Sequence, residues 1–297
     1  MVISLVALIG GMILALRAGG STLSAQGIIW MFVAVVWFFP TTDSLWHGNV
    51  EGLQVLLIAL TLTASSQLRG AGIVAHAWLK IVPVFLVPAL LIREGKKGVL
   101  WLFVGSAILV LPAFAVAPAG FWQLPQVLVN ISGAGSVLPP NLSPSSWLVL
   151  FANSKEIGDI ARIASILAAI GLIGLSMWSS RRPEGWSAAV FAGICAGLIL
   201  PGTIWGHYFL MLMPFGAYAW PRLAHKERIS LLRAGSLVSI GSFMSLFVVL
   251  GNGALAAAMI FLAATSFAFI ILRGLWPKDI SVDKQELGVS QALARKS

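Results

Sequence analysis

The sequence predicts an all-α integral membrane protein that crosses the bilayer several times. Of its 297 residues, 59% are hydrophobic and only 10% are charged, and the mean hydropathy is +0.95. A soluble domain carries about 25% charged residues. The apolar residues also form long runs separated by short polar segments, which is typical of transmembrane helices joined by loops.

Charge and cysteine content exclude several other classes. The net charge is +9, but the basic residues lie in short clusters between apolar runs, as topology signals do, so nucleic acid is not a predicted partner. Cys195 is the single cysteine, which excludes a disulfide within the chain. Arg17 follows the first apolar run rather than preceding it, so we interpret residues 2–16 as a span and not as a signal peptide.

The apolar runs predict about nine transmembrane helices. Their approximate limits are 2–16, 27–40, 52–66, 98–117, 158–178, 186–204, 207–221, 229–250 and 253–275. Together with their loops they form one predicted transmembrane domain over residues 1–276. The polar residues 277–297 form a predicted cytoplasmic tail.

A tenth apolar segment, 71–92, carries both charge and proline. Pro83 removes a backbone donor and clashes with the preceding turn, which breaks a helix. Arg69 precedes the segment and Arg93 follows it, so the positive-inside rule favours the cytoplasm for both ends. We therefore predict a broken, re-entrant helical hairpin, with a kinked single span as the alternative.

This topology places three polar segments on the outer face, namely residues 41–52, the loop 118–147 and residues 203–209. In the first, Asp43 and His47 are four residues apart and would form an acid–base pair if the segment begins a helix.

Asn49, beside Gly48, opens the next predicted span as a helix cap or as a sugar-binding amide. In the long loop, residues 121–131 predict an amphipathic helix on the membrane surface. Asn141 and Ser143 are candidates for contacts with a substrate, or for hydrogen bonds within a turn.

Lys80 is a functional candidate because an intramembrane lysine is costly unless it is paired or used. His76 lies one helical turn before it and is either a second ligand for the same group or a packing residue. His207 stands between Trp205 and Tyr208, which are also typical of the membrane interface.

Four stretches carry a resemblance to a known family. They are HGNVEGLQVLLIALTLTA, GAGIVAHAWLKIVPVFLVPALL, NLSPSSW and LPGTIWGHYFLMLMP, in this order along about residues 25–225. They resemble glycosyltransferase family 87 of the GT-C superfamily, whose members use polyprenyl-phosphate sugars. The matching positions are Gly48-Asn49, Lys80/Pro83, Asn141/Ser143 and Trp205/His207/Tyr208.

The resemblance implies a bacterial plasma-membrane enzyme that transfers a hexose, mannose by default, to a lipid or glycan acceptor on the outer face. His207 and Asp43 are then the predicted catalytic residues. The predicted substrate-binding residues are Lys80, Asn49, Asn141, Trp205, Tyr208, His76 and His47. No cofactor is expected because the lipid-linked sugar is itself the donor, and a requirement for a divalent metal stays open.

Two departures accompany this resemblance. Glu51 and Gly52 stand near a position where the family has an asparagine-type residue. The family also carries a catalytic aspartate in an earlier outer loop that no acid here matches, so we expect the principal base to be missing. A transporter or flippase of lipid-linked sugars, or a truncated non-catalytic paralogue, therefore remain alternatives.

Overall fold

A computed structural model describes residues 2–63, 65–80, 82–120, 122–123, 126, 143–200, 204, 206–247 and 253–276. All regular structure in these residues is helical, as predicted. The α-helices are α1 (Val2–Ala18), α2 (Ala25–Trp37), α3 (Phe39–Trp46), α4 (Glu51–Thr63), α5 (Ser66–Leu79), α6 (Val87–Glu94), α7 (Lys96–Val116), α8 (Pro144–Ala152), α9 (Lys155–Ser180), α10 (Trp186–Ile199), α11 (Met213–Ala219), α12 (His225–Phe247) and α13 (Gly253–Leu275). Three 3₁₀ helices within the described ranges cover Val82–Leu86, Gly206–Leu212 and Trp220–Arg222.

Only some of these helices are long enough to cross a bilayer alone. In the described part of the chain, α7 and α9 are long and apolar enough, and the bent pair α2–α3 would make a third span. The apolar helices α1, α4 and α10 have 17, 13 and 14 residues. The predicted total of nine spans is therefore not confirmed, although the helices lie where the apolar runs predict them.

Helices α1 and α4 pack closely because small residues line their contact. A methyl group on Gly52 would overlap the backbone oxygen of Ser4, and one on Gly11 would lie 2.8 Å from the Cα of Leu56. Small residues let membrane helices approach until their backbones touch. The contact fixes the first turn of α4, which carries part of the candidate site.

The run predicted as one span over 27–40 is bent by 66° between α2 and α3. Pro40 in the first turn of α3 cannot continue α2, because it has no N–H and its ring clashes with the preceding turn. The bend leaves backbone groups without hydrogen bonds inside the helices, and Ser239 of α12 forms hydrogen bonds with two of them. Its hydroxyl accepts from Phe39 N and donates to Trp37 O, both at 2.8 Å.

The segment 71–92 folds as a broken hairpin. Helix α5 ends at Leu79, Lys80 is extended (φ −161°, ψ 133°), and the 3₁₀ helix and α6 follow. Arg69 near the start of α5 forms an ion pair with Glu94 at the end of α6, so the two ends of the segment lie together. Lys80 is at the tip, as the position of Pro83 predicts.

The open end of this hairpin, where α5 begins and α6 ends, is bound to the turn between α9 and α10. Arg93 donates hydrogen bonds to the backbone oxygens of Ser180, Arg182 and Pro183 at 2.8–3.3 Å. Trp186 lies under the guanidinium groups of Arg69 and Arg93, and its indole N–H donates to Thr61 O at 2.8 Å. We call this group, Arg69, Arg93, Glu94 and Trp186, the basic cluster.

The basic cluster and the tip of the hairpin lie at opposite ends of α4 and α5. At 1.5 Å per residue, the 13 residues of α4 separate them by about 20 Å. The positive charges predicted to face the cytoplasm therefore lie at one end of these helices. The charged side chains of the candidate site gather at the other end.

Candidate functional site

The segment that holds Asp43 and His47 is helical. Helix α3 runs from Phe39 to Trp46, and His47 follows as its C-terminal cap. The four-residue spacing therefore brings the two side chains together, with His47 Nδ1 3.0 Å from Asp43 Oδ1. His47 is 54% exposed at its side chain, whereas Asp43 is only 11% exposed. The predicted pair exists, and its acid points inward.

A tight turn then leads from α3 into α4. Gly48 has φ +66°, a backbone conformation that glycine adopts without steric strain. The N–H of Asn49 donates to Ser44 O at 2.9 Å, and Asn49 O accepts from the Ser4 hydroxyl at 3.2 Å. The turn places the first residue of α4, Glu51, back against α3. Ser44 Oγ donates to Glu51 Oε2 at 3.0 Å.

Glu51 and Lys80 form a buried ion pair at the tip of the hairpin. Lys80 Nζ donates to Glu51 Oε1 at 2.7 Å, and the side chains are 19% and 2% exposed. The ammonium group also lies 3.3 Å from the centroid of the Tyr208 ring. Such a cation is held by a carboxylate on one side and an aromatic face on another.

His207 lies between the two carboxylates. It belongs to the 3₁₀ helix Gly206–Leu212, which packs against α3 and α4. Its Nδ1 is 3.0 Å from Asp43 Oδ2, and its Nε2 is 3.6 Å from Glu51 Oε1. We call Asp43, Glu51, Lys80, His207 and Tyr208 the charged cluster.

The geometry of the charged cluster defines what its groups are able to do. A hydrogen bond from Nδ1–H to Asp43 fixes the tautomer and orientation of the His207 ring, leaving Nε2 to accept a proton. Lys80 supplies a positive charge close to that imidazole, because its ammonium lies over the ring of Tyr208, the residue that follows His207. An oriented imidazole beside a shielded cation suits proton removal coupled to the stabilisation of an anion.

The comparison with known protein families decides the family. The model of glycosyltransferase family 87 matches residues 1–201 of the 297-residue chain. The chain belongs to glycosyltransferase family 87. No curated protein and no solved structure matches it.

Membership in family 87 makes the chain a membrane glycosyltransferase by family, in agreement with its apolar helices. The match includes Asp43, Glu51 and Lys80 and ends before His207 and Tyr208. Those two residues reach the cluster because their 3₁₀ helix packs against α3 and α4.

Several predicted site residues are not part of the charged cluster. His76 is only 1% exposed, one turn below Lys80, and its Nε2 has no hydrogen-bond partner among the described residues. The hydrogen bonds of Asn49 given above are formed by its backbone N–H and C=O groups, not by its side-chain amide. Ser143 caps α8 by accepting from Ser146 N, which is the local bond that was one of its two interpretations. Four predictions concern residues that the structure does not describe. They are Asn141, Trp205, most of the surface helix 121–131 and the tail 277–297.

Glu51 is the member of the charged cluster that is absent from the site residues predicted from the sequence. In the sequence it stands out only as a departure from the family pattern. The available signal was an acid at the start of an apolar run, because a charge at that depth requires a partner. Lys80 is the partner that the structure provides.

Proposed function

We propose that this family 87 protein transfers a hexose, with mannose the first substrate to test, from a polyprenyl-phosphate donor to a lipid or glycan acceptor on the outer face of the membrane. The observation that carries the proposal is the convergence of Asp43, His207, Lys80 and Glu51 in one cluster. These residues come from α3, α4, the tip of the broken hairpin and the 3₁₀ helix after α10.

Lys80 is the proposed ligand of the donor phosphate. Its ammonium has three N–H donors, one of which is used by Glu51, and it lies on the Tyr208 ring. When the sugar leaves, the phosphate gains a negative charge, and a fixed cation at that position lowers the energy of the transition state. The recessed position, about 20 Å along α4 from the basic cluster, suits a phosphate whose lipid tail lies in the bilayer.

Asp43 and His207 form the proposed base, in place of the earlier-loop aspartate that no acid of this sequence matches. His207 Nε2 takes the proton of the acceptor hydroxyl while Asp43 holds Nδ1 and stabilises the imidazolium that results. The acceptor oxygen forms a bond to the anomeric carbon as the bond from that carbon to the phosphate oxygen breaks. The phosphate leaves with the bonding electron pair, and the proton passes later from His207 to solvent or product.

Sugar transfer in membranes tests this proposal. Membranes that contain the wild-type chain should move radiolabelled hexose from polyprenyl phosphate to an organic-extractable or polymeric product. His207→Ala and Lys80→Ala should each lower the rate by roughly 100-fold or more, as loss of a base or of an electrostatic donor does. His225→Ala, at the start of α12 in a predicted cytoplasmic turn, is the matched control and should retain full activity.

Equal transfer by the wild type and by the His207→Ala variant would refute the catalytic assignment. No transfer by any variant, with expression intact, would favour the non-catalytic paralogue.

A flippase of lipid-linked sugars is the second candidate function. The observation that favours it is the broken hairpin with an ion pair at its tip, since interrupted helices with charged ends form the substrate sites of many transporters. Movement of a fluorescent polyprenyl-phosphate lipid between leaflets, without sugar transfer, is the result that would select it.

A further inference from the structure

One oxygen atom of the charged cluster faces two potential cations. Glu51 Oε1 accepts from Lys80 Nζ at 2.7 Å and lies 3.6 Å from His207 Nε2, while Oε2 is occupied by the Ser44 hydroxyl. The Glu51 side chain is 2% exposed, so water does little to screen it. The carboxylate therefore depends on its neighbours for compensation of its charge.

The charges of the cluster are not balanced when the imidazole is neutral. Asp43 and Glu51 carry two negative charges, and Lys80 carries one positive charge that Glu51 already compensates. An anionic donor phosphate is thus opposed by the cluster unless Lys80 turns from Glu51 toward it. If Lys80 turns away, Glu51 needs another positive partner, since an uncompensated buried charge is strongly unfavourable.

We infer that Glu51 is a positioning residue that exchanges partners during the reaction: Lys80 passes to the donor phosphate as His207 takes the acceptor proton, and the imidazolium that forms becomes the new partner of Glu51. This inference rests on the proposed function and adds to it a role for a residue outside the predicted set. The ring is already placed for the second contact, because Nε2 needs only a small approach to close 3.6 Å to hydrogen-bond distance.

The exchange is balanced in charge. Lys80 stays protonated throughout and moves its N–H from Glu51 Oε1 to a phosphate oxygen. The proton of the acceptor hydroxyl moves to His207 Nε2, so the imidazolium replaces the ammonium as the counter-charge of Glu51. After the phosphate product leaves and His207 loses its proton, Lys80 returns to Glu51, as found in this structure.

The Glu51→Gln variant tests the exchange through two quantities that move in opposite directions. The amide is a weaker partner for Lys80, so polyprenyl phosphate, used alone as the probe, should bind about 10-fold more tightly. The same amide cannot compensate an imidazolium, so kcat for hexose transfer should fall by roughly 10- to 100-fold. Glu184→Gln, an exposed acid in the turn between α9 and α10, is the control and should change neither quantity.

Weaker binding of polyprenyl phosphate together with lower kcat would show that Glu51 is only structural, and would overturn the inference. An unchanged kcat would overturn it as well. Should Glu51→Gln not fold, the Glu51→Asp variant keeps the charge and should retain more than half of the kcat, whereas Glu51→Gln paired with Lys80→Gln removes both charges and should abolish phosphate binding.

The binding experiment also separates this inference from the proposed function. If the wild type transfers no sugar but Glu51→Gln still binds polyprenyl phosphate more tightly, the transferase proposal fails and the release of Lys80 stands. If the wild type transfers sugar and Glu51→Gln binds the probe no more tightly, the reverse holds.

Discussion

Replacing Lys80 by methionine separates the structural role of the Glu51–Lys80 pair from its proposed chemical role. Methionine has a similar length and no charge, so the substitution leaves Glu51 buried without its cation. The carboxylate is 1% exposed as a residue, and the hydrogen bond that is lost measures 2.7 Å. Among the described residues, the Ser44 hydroxyl then remains as its one direct donor.

The size of the effect follows from this environment. Breaking a buried ion pair by removing one partner costs about 3–5 kcal/mol, and the Ser44 hydrogen bond is present in both proteins and so cancels in the difference. We therefore expect Lys80→Met to lower the free energy of unfolding by about 3–5 kcal/mol. Adding Glu51→Gln to this variant removes the unpaired charge, and should bring stability to within about 1 kcal/mol of the wild type.

A double-mutant cycle measured by denaturant unfolding in mixed micelles gives these values. Lys97→Met, an exposed lysine at the start of α7, is the control and should change stability by less than about 0.5 kcal/mol. Hexose transfer measured on the same samples should be lost in both Lys80→Met and the double variant. If the two single substitutions add without coupling, the pair does not stabilise the fold. If the stable double variant still transfers sugar, Lys80 does not serve the phosphate.

Three further substitutions test the frame around the cluster. Ser239→Ala leaves two backbone groups at the α2–α3 bend unpaired, so thermal unfolding should show a loss of about 1–3 kcal/mol, and sugar transfer should be slower because α3 carries Asp43. The control is Ser230→Ala, whose hydroxyl bonds within α12, and it should change neither the stability nor the transfer rate. His76→Phe removes a buried nitrogen that has no hydrogen-bond partner in the described part of the chain, so thermal unfolding should show equal or higher stability. A loss above about 1 kcal/mol would contradict that placement. Gly52→Ala should destabilise the chain by about 1–3 kcal/mol through its overlap with α1, whereas Gly10→Ala on α1, with open space around it, should be neutral in the same measurement.

Local sequence signals predicted the helices and the broken hairpin well. The apolar runs marked the helices because each lies between polar or basic segments, and Pro83 marked the break because proline cannot continue a helix. The bend between α2 and α3 had the same kind of signal in Pro40, but the run 27–40 was predicted as a single span. What stabilises that bend, a serine some 200 residues away in α12, has no local signature.

Four of the five residues of the charged cluster are among the site residues predicted from the sequence, but their arrangement is not predicted. The side of the membrane assigned by basic residues placed Asp43 and His207 together in one region, yet no sequence spacing joins residues 164 positions apart. Glu51 was missed for a related reason. Its importance comes from partners on three other elements, and a carboxylate at the start of an apolar helix acquires meaning only when those partners are known.

The purified chain in sealed proteoliposomes gives the most direct test of sugar transfer at the charged cluster. The vesicles contain polyprenyl-phosphate hexose, labelled in the sugar, and a lipid acceptor, and both product formation and movement of the donor between leaflets are measured. We predict labelled product from the wild type and from His225→Ala, and none from His207→Ala. Donor movement without product, or equal product from all three proteins, would contradict the assignment of the cluster as a glycosyltransferase site.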